Sequence, residues 1–162
     1  MSTNSKKNDS TKYEALRLKA EKLPGDMYYR SAIAPPYGGH KKTFDAQRYL
    51  YGVSGPDFTR IYLMGWNMHD PDPTYDELVF EIRSTVKDGT HPVGPSSEVR
   101  ASVSLNSNTN QFASEAKSGT ITFQRNETER TITGTANLKV DMDRTTYEFK
   151  VEFHLTANAP LP

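Results

Sequence analysis

The stretch TTYEFKVEFHLTA, residues 145–157, places Tyr147, Phe149, Val151, Phe153 and Leu155 at every second position. Thr146, Glu148, Lys150, Glu152 and His154 fill the positions between them. Successive side chains of an extended chain point to opposite sides, so this alternation makes one aromatic face and one charged face. A strand of that kind is stable only when a second layer covers its apolar side, which makes a two-layered β fold the first expectation.

Working outward, the same period of two recurs in AQRYLYGV (46–53), ELVFEIRS (77–84), EVRASVSL (98–105), GTITFQ (119–124) and RTITGTANLKV (130–140). Each run is bounded by Gly, Pro, Asn or Asp, the residues that turn a chain. RIYLMGWNM (60–68) is apolar on both faces and reads as a central strand covered on both sides. Within TITGTANL, Gly134 and Ala136 occupy inward positions and are expected to face the bulky Tyr147, Phe149 or Phe153 across the ladder. The connections are too short to hold crossover helices, so parallel pairing is not expected. The fold class that follows is all-β: an antiparallel β-sandwich, or a partly open barrel, of about seven strands.

Ahead of these strands the writing changes. Residues 1–10 are polar, have nothing to bury and are expected to form a disordered tail. In TKYEALRLKAEKL (11–23), Thr11 and Glu14 have the spacing of a capping box, while Tyr13, Leu16, Ala20 and Leu23 form a stripe at steps of three and four. One short amphipathic helix is predicted there, stopped by Pro24 and Gly25. Across residues 1–25, six basic residues stand against three acidic ones. A helix this short is marginal in water and must dock, on its own domain or on a partner. The organisation is thus residues 1–25 as tail and helix, and 26–162 as one sandwich domain; 162 residues suffice for one continuous core.

Lysine plus arginine equals aspartate plus glutamate, 20 each, so no excess of cations is available to track a phosphate backbone, and nucleic acid is not an expected partner. The chain has no cysteine, which removes disulfide, thiolate and zinc-thiolate chemistry. The first residues lack the apolar core of a signal peptide, and no run is long and apolar enough for a transmembrane helix. A cytoplasmic location is expected by default, with signal-independent export as the alternative.

The order VKDGTHPVG, SGTITF, TITGTANL and an aromatic last strand resembles that of uncharacterised bacterial β-sandwich proteins over about the last half of the chain. The resemblance implies a sandwich and brings no activity with it.

Chemistry-bearing residues concentrate in WNMHDPDPTYDE, 66–77, at a strand exit. Asp70, Asp72 and Asp76 present hard carboxylate oxygens of the kind calcium takes, on a loop stiffened by Pro71 and Pro73, although the glycine and terminal glutamate of an EF-hand loop are missing. Trp66, Asn67, His69 and Tyr75 are the candidate ligand-binding residues. A sugar ring stacks on an exposed aromatic while neighbouring polar groups hold its hydroxyls. The bland counterpart is a proline-rigid connection whose aspartates form turns and whose tryptophan ends a core strand. The four histidines, His40, His69, His91 and His154, lack the close spacing of a metal pair. No nucleophile elbow, phosphate loop or dinucleotide fingerprint is present; APPYGGH (34–40) reads as an extended loop. Glu77, Glu81, Glu148 and Glu152 lie on strands and supply the pair of carboxylates a glycosidase needs, but Glu148 and Glu152 alternate onto the solvated face. The favoured expectation is a non-enzymatic module that binds a protein partner or self-associates, with no resident cofactor. Carbohydrate binding, with or without calcium, and a carboxylate-pair hydrolase are the alternatives.

Overall fold

A computed structural model describes residues 13–17, 19–54, 57–68, 74–107 and 110–162. The described residues form twelve strands: β1 (Glu21–Lys22), β2 (Tyr28–Tyr37), β3 (Lys41–Asp45), β4 (Arg48–Ser54), β5 (Asp57–Met68), β6 (Tyr75–Arg83), β7 (Gly89–Pro92), β8 (Val99–Ser107), β9 (Asn110–Glu115), β10 (Ser118–Asn126), β11 (Thr131–Met142) and β12 (Thr145–Thr156). They make two six-stranded sheets, ordered β1-β4-β5-β6-β8-β9 and β3-β2-β12-β11-β10-β7, called here the first and second sheets. Every paired strand runs antiparallel to its neighbours. Among the described residues no helix is long and apolar enough to cross a membrane.

The alternation in 145–157 has the predicted effect. Tyr147, Phe149, Val151, Phe153 and Leu155 are buried between the sheets, while Glu148 and Lys150 are exposed. β11 and β12 are joined by the two residues Asp143 and Arg144, both left-handed at φ 48° and 65°, as a tight hairpin with matching strand twist requires. Gly134 pairs with Phe153, as expected, whereas Ala136 pairs with Val151. A methyl group on Gly134 would stand 2.8 Å from the Phe153 ring and 2.3 Å from the Thr122 carbonyl oxygen, so only glycine lets ring and ladder meet there.

The two sheets are keyed together by Tyr29. Its ring lies against Gly65, where a Cβ would approach to 2.8 Å, and its hydroxyl donates to the Leu63 carbonyl at 3.0 Å. Tyr29 and Phe80 both pack tilted against Phe153, with centroids 6.0 and 6.1 Å away. Each such fully buried aromatic contributes on the order of 1.5–3 kcal/mol.

All seven expected strands are present, and among the described residues the count of about seven is corrected to twelve. The additional strands are β1, β2, β3, β7 and β9. β2 takes in Pro35, Pro36 and Tyr37, so the first four residues of APPYGGH are strand and only 38–40 turn. Its alternation was hidden because small Ala32 and Ala34 face solvent while Ser31 faces inward. β7 has four residues, too few for a period to register, and β9 carries a single large apolar side chain, Phe112.

The helix predicted over 11–23 is also revised. The described part is one helical turn, Glu14–Arg17, after which Glu21 and Lys22 pair with Tyr49 and Arg48 as a strand. Thr11, the other half of the capping box, and the expected disordered tail lie outside the described residues. Helix nucleation is costly and the segment is short, so pairing with an available sheet edge prevails over helical propensity at 21–22.

The edge of β4 is covered by both ends of the chain. Beyond β1, the residues after β12 cross to it: the Ala159 amide donates to the Tyr51 carbonyl at 3.2 Å and the Val53 amide to the Pro160 carbonyl at 2.7 Å. Asn158 completes the seam, its Oδ1 accepting from the Tyr51 amide and its Nδ2 donating to the Tyr49 carbonyl. Gly52, at φ 151°, is where this crossing touches; a Cβ there would lie 2.8 Å from the Ala159 backbone.

Candidate functional site

The outer face of the first sheet holds the protein's most unusual chemistry. β4 and β5 are apolar on both sides: Tyr51, Ile61 and Leu63 point into the sandwich, while Leu50, Met64 and Trp66 point out. β6 follows with Val79 on the same outer face, flanked by Glu77 and Glu81. RIYLMGWNM is thus the central, doubly covered strand that its composition predicted, and its cover comes from the N-terminal segment. Tyr13, Leu16 and Ala20, the stripe at steps of three and four, are buried against Leu50, Met64, Trp66 and Val79.

That cover also neutralises two carboxylates. Glu77 and Glu81 are 3% and 5% exposed, where an unpaired charge is very costly. Arg17 donates from Nη2 to Glu77 Oε1 at 2.8 Å and from Nε to Oε2. Its guanidinium carbon also lies 4.6 Å from the Tyr75 ring centroid. The Tyr13 hydroxyl donates to Glu81 Oε1 at 2.8 Å, while Arg60 approaches Glu81 Oε2 at 3.1 Å. Burial pushes the Tyr13 phenol well above its ordinary pKa, and the Glu81 charge pushes it further. Across the next strands Arg100 donates to Glu115 at 2.6 Å. A polar cavity of about 170 Å³ lies between the segment and β8–β9, lined by Tyr13, Glu77, Ser102, Ser104 and Glu115.

The predicted site residues are dispersed. His69, Asp70 and Asp72 lie outside the described residues. Trp66 is 5% exposed, so its ring has no open stacking surface; its Nε1 has no hydrogen-bond partner among the described residues. Asn67 and Tyr75 are half-buried and directly bracket the pairing of β5 with β6, Asn67 opposite Asp76 and Tyr75 opposite Met68. Asp76 points inward. Lys41 Nζ reaches both its oxygens at 2.7 and 2.9 Å, and the Asn106 amide donates to Oδ1 at 2.9 Å. Those oxygens therefore hold the end of β3 against β6 and β8. Among the described residues no three His, Asp or Glu side chains group as metal ligands.

Glu77 and Glu81 share a face four residues apart, a strand separation of roughly 13 Å at the usual rise. Each carboxylate is engaged by its own partners, Glu77 by Arg17 and Glu81 by Tyr13 and Arg60, rather than presented as a bare pair. Glu148 and Glu152 stand on the opposite outer face of the sandwich, Glu152 paired with Arg30. The three described histidines are also separate: His154 bonds Thr133, His91 the Lys87 carbonyl and His40 the Gly38 carbonyl.

Sequence reasoning treated Glu77 and Glu81 as strand carboxylates and missed that they are buried. The signal lay in two places at once: a segment carrying Tyr13, Leu16 and Arg17, and a strand, YDELVFEIR, whose outer face interleaves acids with Val79. Only their docking connects them. No protein-family model, curated protein or solved structure matches this chain.

Proposed function

We propose that this protein is a non-enzymatic interaction module that assembles with copies of itself or with a protein partner through the outer face of β4, β5 and β6. The observation that carries this reading is the recognition of residues 13–20 by that face: Tyr13 by Glu81, Arg17 by Glu77, and Leu16 by the apolar floor. A short segment seated by apolar anchors and charge-assisted bonds is the general form of peptide recognition. Delivered from the same chain it benefits from a high effective concentration; delivered from a second copy it makes an exchanged dimer with the same contacts.

The sheet edges favour the face over edge-to-edge assembly. β3 carries Lys41 and Lys42, β7 ends in Pro92, and the β4 edge is already taken by β1 and the C-terminal residues. Charged and proline-bearing edges resist strand addition.

Trp66 is the chain's single tryptophan and lies beneath the segment, so its emission reports docking directly. The test is deletion of residues 1–25, followed by titration with a synthetic peptide of that sequence. The expected result is a red-shifted emission, restored saturably by the peptide, with a change in oligomeric state by light scattering. If the deleted protein is folded by circular dichroism, keeps the parent's emission and association state, and ignores the peptide, the reading is wrong.

A further inference from the structure

A second site lies at the end of the sandwich where β4, β5, the exit of β6 and the β10–β11 hairpin meet, away from the face just described. A cavity of about 430 Å³ opens there, within the range of small-ligand pockets. Ile61 and Leu161 supply apolar wall, and Tyr51, Ser84, Arg125 and Arg130 supply donors. Tyr51 is 1% exposed, yet its hydroxyl makes no hydrogen bond with the described protein. That hydroxyl is reached from the cavity and can donate to a group bound there.

The two arginines define the partner's charge. Arg125 is held rigidly: Nε donates to Asp88 Oδ1 at 2.9 Å, Nη2 to the Val86 carbonyl at 2.8 Å, and the guanidinium lies over the Phe123 ring. Nη1 makes no hydrogen bond among the described residues. Arg130 sits at φ 58°, a left-handed conformation unusual outside glycine, and donates through Nη2 to the Ala159 carbonyl at 3.2 Å, leaving Nε and Nη1. Asp88 is committed to Arg125, and Glu127 is an exposed residue of the hairpin turn. The uncommitted groups around the cavity are thus donors of the two arginines and the phenol, with the exposed Glu127 carboxylate also in its lining.

We propose that Tyr51, Arg125 and Arg130 form a binding site for the oxyanion of a small molecule with an apolar body, a carboxylate or a phosphate monoester. The planar guanidinium forks match either oxyanion, and the phenol adds a donor from below. Ile61 and Leu161 take the apolar part.

The full chain, labelled with nitrogen-15, is titrated with benzoate, phenyl phosphate and inorganic phosphate, with benzamide as the neutral control. The expected result is saturable movement of the Ser84, Asn126 and Arg130 amides with benzoate or phenyl phosphate, and none with benzamide. Which of the two binds tighter separates a carboxylate from a phosphate site, and inorganic phosphate reports the contribution of the anion alone. Arg130→Ala should weaken binding by roughly tenfold or more and Tyr51→Phe by about three- to tenfold, as loss of hydrogen bonds to a charged group does. Tyr51→Phe should leave the urea midpoint unchanged, because its hydroxyl satisfies nothing in the fold. The assignment fails if no anion saturates by about 20 mM, or if both variants bind like the parent. It fails equally if Tyr51→Phe lowers stability as an internal hydrogen bond would.

Discussion

Arg17 holds Glu77 from sixty residues away in the chain, Nη2 to Oε1 at 2.8 Å, with the carboxylate 3% and the guanidinium 13% exposed. Neither group gains much alone. A glutamate on a sheet face that apolar side chains cover would be left charged in a poor solvent, and the arginine is the group that makes its burial tolerable. The segment's docking and the state of this carboxylate are therefore one event.

Removing the arginine should be far worse than removing both partners. Arg17→Ala strands a buried carboxylate and is expected to cost about 2–4 kcal/mol, the range for breaking a largely buried pair with some solvent access. Arg17→Met with Glu77→Leu should return to within about 1 kcal/mol of the parent, since apolar replacements of similar size remove the desolvation cost. Urea titrations followed through Trp66 give both numbers. A single substitution costing less than ~0.5 kcal/mol would mean the pair is solvated and the segment loosely held.

Tyr13 makes the same docking sensitive to alkali. Its folded phenol, raised by burial and then by Glu81, keeps its proton to higher pH than a released or unfolded tyrosine, which ionises near ~10. Above that pH the docked state binds more protons, so its stability is complete below about pH 10 and falls as pH rises beyond it. Trp66 emission should begin to red-shift there. Tyr13→Phe should flatten part of that slope; the buried Tyr29, Tyr49 and Tyr51, also raised by burial, retain the rest. Identical pH profiles for parent and variant would detach Tyr13 from the effect.

Asp76 behaves as a structural anion because both oxygens are already taken by Lys41 and one also by the Asn106 amide. Asp76→Ala is expected to cost about 3 kcal/mol, having left a buried ammonium and an amide unanswered. Millimolar calcium, and chelator in its absence, should leave the parent's thermal midpoint unchanged. A calcium-dependent rise that Asp76→Ala abolishes would return this residue to the metal site its sequence context suggested.

Two glycines should resist substitution for steric reasons. Gly134→Ala drives a methyl into the Thr122 carbonyl and the Phe153 ring, and Gly52→Ala into the Ala159 backbone from a backbone conformation that disfavours side chains. Overpacking of this kind costs about 1–3 kcal/mol. Gly134→Ala should lower the denaturation midpoint of the whole protein. Gly52→Ala should act first on the C-terminal crossing, seen as faster amide exchange at Val53 and Ala159. Parent-like exchange at both positions would show that the crossing adapts.

Much of this architecture was legible in the order of residues, because a side chain's face in a strand depends only on whether its position is odd or even. Period two located β4, β6, β8, β10, β11 and β12, and the double-faced composition of 60–68 located β5 and marked it as central. Short or small-residue strands such as β7 and β2 give that signal too little contrast. The stripe of Tyr13, Leu16 and Ala20 was also visible locally, since it describes which side of the segment is buried. What tertiary structure alone decided is which surface receives it. Whether Glu77 and Glu81 meet water or Arg17 and Tyr13, and whether Tyr51 ends in a cavity beside two arginines, depends on contacts between residues far apart in the chain. The physical reason is that burial and charge pairing are properties of the packed surroundings, whereas alternation is a property of the backbone.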